Sequence, residues 1–153
     1  MESSVIRNLY EAWSQDDLTG LDSLVAEKYT IFSDPGDPWE GQTLDRDGYR
    51  KRVLQSRKAF PDLVFEILQL IQENDRVAVM WRASGTHLGD LPEIPANGQR
   101  VAFPGQTFYL VEKGKAAGHW QIVDRLGFIQ QLRGRGHESR RMNHWHWAKA
   151  HRS

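Results

Sequence analysis

Arg76-Val-Ala-Val-Met-Trp-Arg-Ala-Ser-Gly-Thr-His87 is the stretch on which the fold turns. In an extended chain Val77, Val79, Trp81 and Ala83 fall on one side, and Ala78, Met80 and Arg82 on the other. That period of two is a β-strand with one apolar face. The same period holds on both sides of it. Leu63–Gln72 is apolar enough for a preceding strand, joined through the turn Glu73-Asn74-Asp75. After a loop rich in Gly and Pro (Gly89–Gly98) come two more strands, Arg100–Glu112 and Lys115–Asp124, which reverse at Lys113-Gly114-Lys115. Gly127–Leu132 closes the run as a short helical or irregular segment.

Upstream of Asp62 the spacing is helical instead. Val5, Ile6, Leu9, Tyr10 and Trp13 predict a first helix over about 3–15. Asp16 and Asp17 are candidate caps for a second, carrying Leu18, Leu21, Leu24 and Val25 on one stripe. Tyr29-Thr30-Ile31-Phe32 reads as a short strand, and Asp34-Pro-Gly-Asp-Pro-Trp-Glu-Gly41 as a loop on turn chemistry. A third helix is expected over about 45–59, with Tyr49, Val53 and Phe60 inward and Arg50, Lys51, Arg52, Arg57 and Lys58 largely outward. Helices followed by long antiparallel strands make an α+β fold. The expectation is a curved antiparallel sheet wrapped on three N-terminal helices, an α+β barrel whose cone holds a central pocket for a small molecule.

The chain has 153 residues, with 20 Lys+Arg against 20 Asp+Glu and no cysteine. Zero formal charge argues against a domain that grips nucleic-acid phosphates, and the missing thiols exclude disulfides and cysteine nucleophiles. Neither a secretory leader nor an apolar run of about 20 residues is evident, so no membrane partner and a cytoplasmic location are expected. The zero conceals two unlike parts. Residues 1–132 carry fourteen basic and nineteen acidic groups, whereas 133–153 carry six basic groups and one acidic. The folded domain is therefore placed at 1–132. The basic remainder, with His137, His144, Trp145, His146, Trp147 and His151, is read as a loosely ordered extension, too irregular in spacing for a metal site.

Five pieces of 1–132 resemble the SnoaL-like polyketide cyclases of the nuclear transport factor 2-like superfamily. They are Ala12-Trp13 at a helix end, Phe60-Pro61-Asp62-Leu63, Gly85-Thr86-His87-Leu88-Gly89, and Ile94-Pro-Ala-Asn-Gly-Gln-Arg-Val101. The fifth is Gly114-Lys115 followed by Trp120, Asp124 and Gln130-Gln131-Leu132. The resemblance implies an α+β cone, a homodimer, and ring closure by intramolecular aldol condensation with no metal or organic cofactor. It implies an acid/base aspartate on the last long strand and a histidine on the strand before it. Laid on that pattern, this sequence has Gln121 at the aspartate's position and Tyr109 at the histidine's. A glutamine amide does not shuttle protons near neutral pH.

Two residues remain as catalytic candidates. His119 shares a strand face with Gln121, and an imidazole titrates in the right range for proton transfer. Asp124 serves as an acid/base if apolar neighbours raise its pKa. The structural alternatives are a hydrogen-bonded buried histidine and a carboxylate that accepts from Arg125 or backbone. Trp13, Trp81, Tyr109, Gln121 and His87 are the substrate-binding candidates, His87 through a loop at the pocket mouth or else simply bonding that loop. They suggest a small, flat, apolar or aromatic ligand. Two functions follow. One is proton-transfer chemistry (cyclisation, isomerisation or hydration) on a small carbonyl compound; the other is a pocket that binds without turnover, which Gln121 makes credible.

Overall fold

The computed structural model describes residues 2–134. Their order is helix α1 (Glu2–Trp13), a 3-10 turn (Leu21–Ser23), strand β1 (Val25–Ser33), strand β2 (Thr43–Leu44) and helix α2 (Arg46–Ala59). Strands β3 (Val64–Glu73), β4 (Arg76–Thr86), β5 (Arg100–Glu112) and β6 (Lys115–Val123) follow, then helix α3 (Arg125–Leu132). The strands form one six-stranded sheet in the order β2-β1-β6-β5-β4-β3. Every pairing is antiparallel except β1 with β6, which is parallel, and the sheet does not close on itself. The fold is the expected α+β cone with one strand inserted in parallel. The histidines and tryptophans of the tail noted above lie outside the described residues.

Local chemistry sets the elements. Val5, Ile6, Leu9 and Tyr10 of α1 are buried, one face of a 3.6-residue period. Asp45 caps α2 by accepting from Gly48 N–H at 2.7 Å, and Pro61 disfavours helical backbone at Phe60, where the helix stops. Lys113 and Gly114 both have positive φ, the geometry a two-residue hairpin turn requires. On β4, Val77, Val79, Trp81 and Ala83 are buried as the alternation foretold. Trp81 lies opposite Gly105 of β5, where an added Cβ would run into the indole, so the glycine makes room for the ring.

The structure corrects three expectations. The second helix is only the turn Leu21–Ser23: Asp17 accepts from Thr19 N–H in a tight local turn, and Val25 already begins β1. Leu18, Leu21 and Leu24 still pack on the core, so the apolar stripe was real but its backbone is not helical. The three helices are consequently not all N-terminal, because the third, α3, follows the sheet. Finally, Arg52 and Arg57 are buried. Arg57 spends its guanidinium on the carbonyls of Trp13, Pro61 and Leu63 and on Asp16, tying the end of α1 to the entry of β3. A fully bonded arginine tolerates burial, and charge alone does not reveal it.

Candidate functional site

A cavity of about 170 Å³ opens between the concave face of the sheet and α1, α2 and α3. Its apolar wall comprises Trp13, Phe65, Trp81, Phe103, Val123 and Phe128, set edge to face. Four tyrosines, Tyr10, Tyr29, Tyr49 and Tyr109, also line it, and its polar end is made by Asp37, Arg52, His119, Gln121 and Arg125. Burial raises all four phenols, Tyr49 to about 12, so they are neutral donors and acceptors at physiological pH.

At the polar end the side chains converge on Asp34, which follows β1 directly and is fully buried. Its Oδ2 lies 2.9 Å from His119 Nε2, 3.0 Å from Gln121 Nε2 and 3.4 Å from an Arg52 nitrogen. Oδ1 accepts from Arg125 at 3.2 Å. The other imidazole nitrogen, His119 Nδ1, lies 2.6 Å from the Tyr29 hydroxyl. Burial by itself would raise the Asp34 pKa, but the His119 hydrogen bond and the Arg52 and Arg125 charges outweigh it and hold the group below the usual carboxylate range. Burial likewise pushes His119 below its ordinary 6.5, with Asp34 working against that shift. At neutral pH the carboxylate is charged and the imidazole neutral. The proton then sits on Nε2, pointing at Asp34, and Nδ1 accepts from Tyr29. From Tyr29 through His119 to Asp34 the hydrogen bonds are continuous.

A second chain of bonds fixes Gln121. Trp81 Nε1 donates to Thr107 Oγ1 at 2.8 Å, Thr107 donates to Gln121 Oε1 at 2.7 Å, and the Gln121 amide then donates to Asp34. Trp13 Nε1 donates to the Tyr49 hydroxyl at 2.8 Å, and the Tyr109 hydroxyl donates to that of Tyr10 at 3.0 Å. Of the expected site residues, His119, Gln121, Trp13, Trp81 and Tyr109 line the cavity.

Two candidates stand elsewhere. Asp124 caps α3, its carboxylate accepting from Gly127 N–H at 3.0 Å, and it does not line the cavity. Asp124 stands one residue beyond β6, where the chain turns into α3, and its carboxylate is spent on that helix end. His87 is fully buried outside the cavity, stacked on Phe60 with ring centroids 5.4 Å apart. Its backbone, not its ring, holds the following loop, through Gln99 O and Gly98 N–H. Residue-by-residue reading missed Asp34, Tyr29 and Arg52. The available signal was alternation along Tyr29-Thr30-Ile31, which turns Tyr29 inward, and an aspartate immediately beyond the strand end.

The fold has known counterparts. A family model described as SnoaL-like polyketide cyclase matches residues 3–132. A solved structure of a candidate polyketide cyclase from Acidithiobacillus ferrooxidans is 41% identical, with 87% of this chain and 94% of that chain covered and a TM-score of 0.80. IdmH, a candidate polyketide cyclase from Streptomyces antibioticus, is 28% identical over 86% of this chain and 98% of its own, with a TM-score of 0.73. TsrD from Streptomyces laurentii is 25% identical over 85% and 92%, also at 0.73. No curated protein matches the chain significantly.

Proposed function

This chain belongs to the SnoaL-like polyketide cyclase family, and we propose that it catalyses cofactor-independent proton transfer on a small, flat carbonyl compound held in the cone. Aldol-type cyclisation is the reaction the family suggests; isomerisation or hydration would use the same step. The observation that carries this reading is the unbroken Tyr29–His119–Asp34 chain, 2.6 and 2.9 Å long at its two links, on the wall of an aromatic cavity. It follows the logic of a nucleophile–histidine–carboxylate triad with a phenol at the outer end.

In the base step, a proton next to the substrate carbonyl goes to the Tyr29 oxygen while the tyrosine's own proton passes to His119 Nδ1. The electron pair of the broken C–H bond becomes the enolate. The imidazolium formed is held by the Asp34 charge through Nε2. The enolate carbon then attacks a second carbonyl of the same molecule, and the alkoxide so produced takes the proton back along the relay. Concerted transfer avoids a free phenolate, which burial of Tyr29 disfavours. Gln121 takes no proton in this scheme; it positions Asp34.

One observation favours the second reading, a binding module. Both nitrogens of His119 are already engaged, and the side chain is only 2% exposed. The discriminating experiment incubates the protein in D2O with a panel of β-keto esters and polyketide-like diketones. Mass spectrometry then follows deuterium incorporation and ring closure. The catalytic reading expects exchange and ring closure faster than in the protein-free control, with that acceleration lost about a hundredfold or more in Tyr29→Phe and His119→Ala. Ligands that bind without that acceleration establish the binding module instead.

The working unit in this reading is residues 1–132, with 133–153 an appendage, acting in the cytoplasm as a homodimer. The convex face of the sheet supports the dimer. Ile71, Phe108 and Ile122 project from it unburied, and Phe32 stacks on Trp120 at 4.4 Å beside them. Among the described residues no helix is long and apolar enough to cross a membrane.

A further inference from the structure

Arg52 is a buried cation whose donors outnumber its partners. Its side chain is 10% exposed and lines the cavity. Among the described residues only one of its three nitrogens makes hydrogen bonds, to Asp34 Oδ2 and Asp37 Oδ2, both at 3.4 Å. Charge-assisted bonds of this kind ordinarily close to about 2.7–2.9 Å, so both are slack. Nε is buried with no partner among the described residues.

The two carboxylates are meanwhile well supplied by other donors. Asp34 is held by His119, Gln121 and Arg125. Asp37 accepts from Trp39 N–H at 2.8 Å and has Arg125 at 3.8 Å. Asp34 and Asp37 are offset by Arg52 and Arg125, and the neighbouring Glu40 carboxylate, which accepts from Asp34 N–H at 2.8 Å, is exposed and does not line the cavity. The Trp13 indole, 5.4 Å from the guanidinium centre, covers one face of it. Nη1 makes no hydrogen bond among the described residues and, unlike Nε, is not sealed, so it is the nitrogen to which a molecule in the cavity can offer an acceptor.

We infer that Arg52 is an anion-binding residue and that the cavity takes a flat aromatic or conjugated acid whose anionic oxygen, a carboxylate or an ionised enol, sits against the guanidinium. This rests on the cavity being the substrate site and names the class of compound it selects. The aromatic wall sandwiches the ring, and the anion is drawn to the polar end, which brings the neighbouring carbon toward the Tyr29 hydroxyl.

Calorimetric titration tests it without any turnover. Two pairs of probes, each an anion and a near-isosteric neutral molecule, are compared on the wild-type protein: 2-naphthoate with 2-naphthamide, and 4-hydroxycoumarin with coumarin. The anion is expected to bind at least tenfold tighter in one pair or both, and the pair that responds tells carboxylate from enolate. Arg52→Gln is expected to abolish the preference. Arg52→Lys, which keeps the charge but not the planar fork, is expected to reduce it several-fold, and serves if the glutamine variant does not fold. Equal affinity within both pairs, no binding of any probe, or a preference unchanged in the Arg52 variants overturns the inference. Anion preference without accelerated deuterium exchange would sink the catalytic reading alone; accelerated exchange without anion preference would sink only the role of Arg52.

Discussion

Asp34→Asn is the most informative single change, because one carboxylate holds three other elements of the site. The substitution keeps the shape but replaces one acceptor oxygen with an NH2 group that must donate. Among the described residues Oδ2 faces His119, Gln121 and Arg52, whereas Oδ1 faces Arg125 alone. The new amide therefore keeps its oxygen at the crowded position and turns its NH2 toward Arg125, donor against donor. Removing one partner of a buried ion pair costs about 3–5 kcal/mol. Arg125 is 35% exposed and regains water by swinging out, so the lower end, about 3 kcal/mol, is expected. In a domain of this size that is a fall of about 10 °C in Tm.

The chemistry should suffer separately. His119 keeps its tautomer, since an oxygen still faces Nε2, but it loses the charge that favours its protonated form. Its proton affinity should drop about tenfold to a hundredfold, the effect of an opposite charge at hydrogen-bond distance. Proton transfer through Tyr29 should slow by a similar factor. Thermal denaturation gives the first number, and 15N-detected NMR titration of the imidazole gives the second. A variant whose Tm and His119 titration both match wild type would refute the assignment of Asp34 as the anchor of the site.

Acidification should act through the same two groups. His119 binds its proton less readily folded than unfolded, so its contribution to stability is complete above pH 6.5 and is lost as pH falls through its lowered folded value. Asp34, also lowered, contributes above 3.8 and loses that contribution as pH falls through its own depressed value. Tm should therefore be level above about pH 7 and fall continuously on acidification; a Tm that rises from pH 7 to pH 5 contradicts the His119 environment. Gly105→Ala drives a methyl group into the Trp81 indole and should cost about 1–3 kcal/mol in chemical denaturation, with a shifted tryptophan emission. Unchanged stability would mean the indole is free to move. Phe108→Glu puts a charge on the convex sheet face and should convert the protein to monomers in sedimentation velocity while leaving its Tm within a few degrees. A wild-type protein that already sediments as a monomer disposes of the dimer.

Strand parity puts His119 beside Gln121, and what it leaves out of the site has a common physical origin. Alternation is a local rule: it orders His119 and Gln121 on one face of β6 because both sit in one regular strand. It says nothing about groups brought in by tertiary closure. Asp34 stands in a stretch whose Asp, Pro and Gly residues are what any surface turn would contain, and no local pattern marks that aspartate as buried. Arg52 and Arg57 look alike on the helix and to a hydrophobicity reading. Only the carbonyls left by the chain corner at Pro61 and the carboxylates beyond β1 explain why both point inward. The lost helix near Leu21 is the same problem in reverse, since a stripe at helical spacing was satisfied by a turn and the start of a strand.

Gln121 changes meaning once Asp34 is in view. Taken alone, an amide where the family resemblance implies an acid/base aspartate signals lost catalysis. In the folded chain that amide donates to a carboxylate which arrives from another strand, and its own oxygen is fixed by Thr107 and Trp81. A second carboxylate at position 121 would face Asp34 at about hydrogen-bond distance, and two like charges so close cannot both stay ionised. The charge at Asp34 and the amide at Gln121 are therefore complementary halves of one arrangement. A negative group is retained at the polar end of the cavity, but it is reached through His119 and Tyr29 and not directly from β6. In the proposed scheme the atom that meets the substrate is thereby a phenol oxygen instead of a carboxylate oxygen. A neutral phenol suits a substrate that brings its own negative oxygen, because a carboxylate in the place of Tyr29 would add to the negative charge that Asp37 already sets on the cavity wall.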